Sequence, residues 1–347
     1  MTRIHIAANN GEIGGGEVML IQIAEAVRAL GHDVHIIGPG AEAGVVETAA
    51  SMGFQTTALP PGRKAYMRAL ASWDRDRDGI LWCNGLVPAL ATTGRPRRIV
   101  HLHQAPSWKH VAAGRLASAG SLALLVPSRS MARRFPTAQI LPNWVPPVRA
   151  TPQSTPATSG CEEPIVLGFL GRLSTDKGVR VLAQVVRLLD ADSPGRYRLL
   201  LAGAPRFVDE ADQRQLDASL VPIAHLTERA GWMDREEFFS SVDLAVFPSV
   251  CDESFGLIVA EAMSARVPFV ISDTGALPEV AGKGYPWISR RGSVGSLLRV
   301  VQQVLASPSA TVEAHLEHMH RRWEAEFSPS SGRARVRHLL TDILPQE

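Results

Sequence analysis

Two carboxylates and two cations are the first candidates for chemistry in this 347-residue sequence. Glu253 and Glu261 lie in PSVCDESFGLIVAEA (248–262), an E-x7-E spacing behind an apolar run at 242–248. The pattern predicts a buried strand, a loop carrying Glu253, and a helix opening at Gly256, Leu257 and Ile258. Free amides at such a helix start can hold phosphate. Glu261 then falls inside the helix, among Ile258, Val259, Ala260 and Ala262. A carboxylate in apolar company needs a partner. Ribose hydroxyls would serve, and so would a nearby arginine. Arg172 and Lys177 lie in GFLGRLSTDKG (168–178), past the apolar run 165–170 and before a helical pattern from Val179. Open α/β sheets bind ligands outside the carboxyl ends of their strands. Two cations there could neutralise a diphosphate. Solvated loop charge is the competing reading.

A third cluster, Gly14-Gly15-Gly16, follows a strand pattern at 4–8 and opens a helical pattern at 17–30. Three glycines allow close approach of a ligand or loop to the backbone. The spacing from Gly11 is G-x-x-G-G-G, not G-x-G-x-x-G, and the second strand ends in Gly38-Pro39 without an acidic residue. Both departures speak against a nicotinamide cofactor. A turn without a ligand is the alternative.

The elements that must position these residues are short apolar runs alternating with helical patterns. Leu20, Ile23, Ala24, Val27 and Leu30 recur at helical spacing, and Gly31 stands where a helix would end. A strand follows at 32–38, completing a βαβ unit that implies a parallel sheet. Further strands are expected at 80–83, 99–102 and 122–127. Proline, serine and threonine dominate 144–164, which reads as a linker. Beyond it the pattern restarts, with strands at 165–170, 198–202, 242–248 and 267–272 and a helix at 179–189. The chain from Val294 onward reads as helical with one break near Phe327-Ser328-Pro329.

Taken together and in order, the GG-E loop, the G-R-x4-K-G loop and the E-x7-E element enclosing F-G resemble family 4 retaining glycosyltransferases of the GT-B fold. HLHQAPSW (101–108), LLVPSRS (124–130), LPNWV (141–145) and the stretch 225–249 fill the intermediate landmarks, so the resemblance covers nearly the whole chain. It implies an α/β fold of two Rossmann-like domains facing across a cleft. Residues 1–145 would form an acceptor-binding domain, joined by a C-terminal helix at about 331–347 that crosses back to it. Residues 146–163 would be the linker and 164–330 the domain for the nucleotide-sugar. Arg172 and Lys177 would contact the donor diphosphate. Glu261 would bind the ribose, Glu253 would face the donor sugar, and His103 would lie beside the reacting centre. Gly15 and Gly16 would approach the diphosphate, and Phe255, Gly256, Leu257 and Ile258 would line the donor site. Arg266, in EAMSARVPFV, replaces the glycine usual in the family, and the segment after Val280 is short.

The implied activity is transfer of a hexose-type sugar from a UDP- or GDP-linked donor to a hydroxyl acceptor, with retention. The acceptor would be a glycan, a lipid-linked molecule or a small natural product. No cofactor and no metal are expected. The cations can stabilise the leaving group, and the nearest D-x-D candidates, 74–76 and 190–192, fall in polar or helical surface patterns and not beside the phosphate loops. A non-catalytic sugar-nucleotide binder and a GT-B epimerase are the alternatives. With 36 Lys and Arg against 34 Asp and Glu, net charge decides nothing about partners, and no nucleic-acid partner is expected. Cys83, Cys161 and Cys251 are odd in number and scattered, which suits a reducing compartment. The start lacks an apolar signal core, and no apolar run approaches the ~20 residues that span a bilayer. A cytoplasmic protein is expected. Arg95, Arg97, Arg98, Arg133 and Arg134 form a candidate basic patch for peripheral contact at the inner membrane face, or ordinary surface charge. His315 and His318 share a helix face and read as solvated, not as metal ligands.

Overall fold

The computed structural model describes residues 2–41, 43–104, 108–151, 164–204 and 209–344. It divides into two units, Met1–Val145 with Phe327–Glu347, and Pro146–Glu326. The first unit alternates β1 (Arg3–Ala8), α1 (Gly15–Ala29), β2 (Asp33–Pro39), α2 (Gly44–Ser51), β3 (Gln55–Leu59), α3 (Arg63–Trp73) and β4 (Ile80–Asn84). It continues with α4 (Leu86–Ala91), β5 (Arg98–His101), α5 (Trp108–Ala117), β6 (Ala123–Val126), α6 (Arg129–Ala132) and β7 (Gln139–Ile140). The second runs β8 (Ile165–Leu170), α7 (Val179–Asp192), β9 (Tyr197–Ala202), α8 (Glu210–Leu220), β10 (Thr227–Gly231), α9 (Arg235–Ser240), β11 (Leu244–Phe247) and α10 (Leu257–Ala265). Then come β12 (Phe269–Ser272), α11 (Leu277–Ala281), β13 (Ile288–Ser289), α12 (Val294–Leu305) and α13 (Ser309–Arg322). The last helix, α14 (Pro329–Ile343), belongs to the first unit.

Each unit is one parallel sheet. The orders are β3-β2-β1-β4-β5-β6-β7 and β10-β9-β8-β11-β12-β13. The second is the doubly wound 3-2-1-4-5-6 arrangement and the first extends it by a seventh strand, β7; in both the order reverses beside the first strand. The two-domain α/β fold expected from the sequence is therefore borne out. Strands covered on both faces read as continuous apolar runs. Ile4, Ile6, Ile36, Leu81 and Val100 are accordingly buried without exposure. The strands that sequence reading passed over are β3, β7, β10 and β13. All four lie at or next to a sheet edge or are two residues long. QTTAL and TERAG carry few apolar residues because they are only partly covered.

The helical C-terminal region has two breaks, not one. Pro308 caps α13, and a π-helical turn at Trp323–Phe327 precedes α14. The last helix packs on α1, and a Cβ at Gly332 would stand 2.1 Å from the Trp144 ring. Only glycine allows that approach. The expected linker falls largely on 152–163, outside the described residues. Its first part belongs to the second unit, where the Val148 amide donates to Ser264 Oγ at 2.9 Å. No helix among the described residues is long and apolar enough to cross a membrane.

Candidate functional site

In the second unit the order reversal lies between β8 and β11. The Arg172–Lys177 loop leaves the carboxyl end of β8, and the Glu253 loop leaves that of β11. The two loops touch. Gly178, at φ +77°, lies so close to Pro248 that a Cβ would meet its carbonyl oxygen at 1.9 Å. The amides of Val250 and Cys251 donate to the Asp176 carbonyl at 2.8 and 3.1 Å. Lys177 Nζ is 2.6 Å from Glu253 Oε1, which also accepts from Ser249 Oγ at 2.6 Å. Motifs 76 residues apart thus share one charge pair. Arg172 pairs with Asp176, which also accepts from Ser174 Oγ.

The helix α10 begins where the spacing places it, with Gly256 as N-cap and Leu257 and Ile258 in its first turn. Phe255 is buried just before it. Glu261 lies in the second turn, 6% exposed. Its partner is Arg235, at the start of α9, with Nε 3.2 Å from Oε1. Burial raises the Glu261 carboxyl above its usual range, and Arg235 opposes that shift. The arginine alternative for Glu261 is thus realised. Sequence reading missed Arg235, because only the fold brings α9 beside α10. Arg266 ends α10 in the left-handed region at φ +56°. That conformation explains a glycine preference at this position. Here Arg266 Nη1 reaches Glu317 at 3.1 Å.

In the first unit the reversal lies between β1 and β4. Gly14 caps α1, and Gly15 and Gly16 form its first turn. Glu17 Oε2 accepts from the Gly14 amide at 3.3 Å, and burial raises the Glu17 carboxyl. Asn84, at the end of β4, donates from Nδ2 to the Gly16 carbonyl at 2.9 Å. Its Oδ1 is 2.7 Å from His103 Nε2. His103 follows β5 and lies against Gly16. Burial pushes its imidazole down to about 3, so the ring is neutral at physiological pH. Asn84 carried no sequence signal beyond ending a buried strand before a glycine.

Several surface readings change. Arg98 is not part of a basic patch. It is fully buried, donating to the carbonyls of Arg95, Ala117 and Ala119 at 2.8, 3.0 and 2.8 Å. Asp74 of the first D-x-D stretch is buried against Arg77 at 2.7 Å. Asp190 and Asp192 lie at the end of α7. Among the described residues no three His, Cys, Asp or Glu are grouped to hold a metal. His315 packs its ring on Trp287. Cavities lined by Arg3, Asp33 and Asp78, and by Val166, Arg198 and Thr227, open at the amino ends of the strands. This fold binds ligands at the opposite ends.

Residues 164–307 match the family model for glycosyl transferases group 1. The chain is 33% identical over 168 residues to 2-deoxystreptamine glucosyltransferase of Streptomyces kanamyceticus, covering 46% of this chain and 41% of the relative. It is 31% identical over 123 residues to O-antigen chain mannosyltransferase B of Escherichia coli, covering 33% of this chain and 30% of that one. The matched stretches span less than half the length of these relatives. The structure of Anabaena HepE in complex with UDP and glucose superposes with a TM-score of 0.83. It covers 98% of this chain and 100% of HepE at 17% identity, a likeness that shows the fold alone. Sucrose-phosphate synthase of Thermosynechococcus elongatus gives 0.79 at 17% identity, over 99% of each chain. The resemblance seen in the sequence holds in the group 1 match of the second unit and in the GT-B fold of the whole.

Proposed function

We propose that this chain, with a glycosyl transferases group 1 domain at 164–307 in a GT-B fold, transfers a hexose from a nucleoside-diphosphate donor to a hydroxyl acceptor with retention. The observation that carries the reading is the meeting of the Arg172–Lys177 loop and the Glu253 loop at the order reversal of one parallel sheet. A site built to receive a diphosphate needs fixed cations and free helix amides. Lys177, Arg172 and the start of α10 supply them. Each cation is held by an internal carboxylate, so the donor exchanges one anion for another and the site stays ordered. Glu261, kept beside Arg235, is the ribose acceptor, and Glu253 receives hydroxyls of the sugar. In the first unit Gly15, Gly16 and His103 are the candidate ligand-binding residues, and that unit takes the acceptor.

In the transfer, the bond between the anomeric carbon and the diphosphate oxygen breaks, and that oxygen keeps the electron pair. The acceptor oxygen bonds to the same face of the sugar and passes its proton to the departing diphosphate. Charge grows on the leaving group, where one aimed donor is worth about 3 kcal/mol. Two cations and several amides account for the barrier reduction without a metal. The glucosyl and mannosyl relatives and the UDP-bound neighbour support testing UDP-glucose and GDP-mannose first.

The test incubates the full chain with nucleotide-sugars and hydroxyl acceptors and follows nucleotide release and product configuration. Transfer giving the donor's own anomer, undiminished by excess EDTA, is expected. An inverted product overturns retention. Activity lost to EDTA and restored by magnesium or manganese overturns metal independence. Binding without turnover across the panel favours a sugar-nucleotide binder instead, and isomerised donor favours an epimerase.

A further inference from the structure

The hydrogen bonds around Asn84 leave one choice of proton position. The carbonyl oxygen of Gly16 only accepts, so the Asn84 amide nitrogen must face it. The Asn84 oxygen then faces His103 Nε2 at 2.7 Å. That oxygen also only accepts, so Nε2 carries the proton. In a neutral imidazole the other nitrogen is then bare. His103 Nδ1 is buried and meets no hydrogen-bond partner among the described residues. Beneath it lies the ring of His101, centroids 4.0 Å apart, itself fully buried with both nitrogens unpartnered. Neither nitrogen of His101 competes for the Asn84 oxygen. One fully buried carboxamide therefore ties the first turn of α1 to the His103 ring.

We propose that Asn84 is a positioning residue that fixes His103 as the neutral Nε2–H tautomer and fastens that ring to Gly16 at the start of α1. With Nε2 holding its proton toward Asn84, this nitrogen is not the base that takes the acceptor's proton. That agrees with proton transfer to the departing diphosphate. The significance for transfer rests on the proposed function, whereas the tautomer does not.

The test has a spectroscopic arm and a kinetic arm. In the full chain labelled with 15N-histidine, the His103 signal is identified among eleven histidines by its loss in His103→Gln. Wild-type protein is expected to show the Nε2–H pattern. Asn84→Ala is expected to shift that signal toward the Nδ1–H or an averaged pattern. It should also lower kcat about tenfold or more through misplacement near the reacting atoms. An Nδ1–H pattern in the wild type overturns the proposal even if Asn84→Ala does not fold. So does an Asn84→Ala protein with unchanged signal and kcat. If the wild type transfers no sugar, the proposed function fails, and the spectrum still decides the role of Asn84.

Discussion

The two units share one sheet order, yet they place opposite kinds of polar group at the carboxyl ends of their strands. At the reversal of the second unit stand Arg172, Lys177, Glu253 and, one layer on, Arg235 with Glu261. The same place in the first unit holds Asn84, joined by His103 from the neighbouring strand, with burial keeping the ring uncharged. Fold alone does not set function; the side chains grafted onto it do. Paired charge suits a diphosphate that arrives with its own charge. Neutral donors and acceptors can be buried there at a lower desolvation cost than an unpaired charge. The difference extends into the cores. The first unit buries His5, His35 and His101, and His5 Nδ1 stands 3.0 Å from His35 Nδ1.

Acid should separate the units most strongly. Burial is the main cause of lowered values at His5, His35, His101 and His103, with His35 down to about 4. Unfolding restores each to about 6.5. Between those values the unfolded chain binds more protons, so this stability is present above pH ~6.5 and is lost as pH falls toward 4. For His35, each pH unit between about 6.5 and about 4 costs on the order of 1 kcal/mol, and the other three act in the same direction. Glu17 and Glu261 have raised values and act with the opposite sign. The first unit should therefore open first on acidification. Pulse proteolysis from neutral pH down to about pH 4.5, with fragments assigned to each unit, checks this. Earlier cleavage of the second unit would erase the contrast.

The charged site is tested next. Arg172→Ala and Lys177→Ala should fold and lose about 10²–10³ in kcat, because the leaving diphosphate loses counter-charge. Steady-state kinetics with the best donor measures this, and near wild-type turnover in both variants removes the role.

A smaller effect sharpens the division within that site. Glu261→Gln should weaken both free nucleoside diphosphate and whole donor, by about 1.5–3 kcal/mol. Glu253→Gln should leave free nucleotide binding nearly unchanged while lowering turnover and blurring choice of sugar. Calorimetric titration of both ligands into both variants tells them apart. Equal weakening of bare nucleotide would show that the two carboxylates do not divide the donor.

Smallest is the effect at Arg266. A left-handed arginine costs about 1 kcal/mol, and its exposed pair with Glu317 returns at most about as much. Arg266→Gly should leave the melting temperature unchanged or slightly raised. A marked drop would mean the Glu317 contact matters more than backbone strain.

Much of this molecule was legible from local pattern. Buried parallel strands are continuous apolar runs, so β1, β2, β4, β5, β6, β8, β9, β11 and β12 could be placed to within two residues. The start of α10 followed from Gly256, and with it the depth of Glu261. Edge strands left no such trace, since half their surface faces solvent. What chain order could not supply was partnership. Arg98 in RPRR looks like surface charge, yet four neighbouring carbonyls hold it inside. Asn84 and Arg235 were silent because their meaning lies in Gly16, His103 and Glu261, residues 19 to 68 positions away. Sequence by itself determined which residues could carry charge at strand ends, because burial period and turn chemistry act over a few residues. Tertiary structure decided which charges pair and which histidine nitrogen bears the proton, because hydrogen bonds of about 3 Å depend on how distant strands and helices pack.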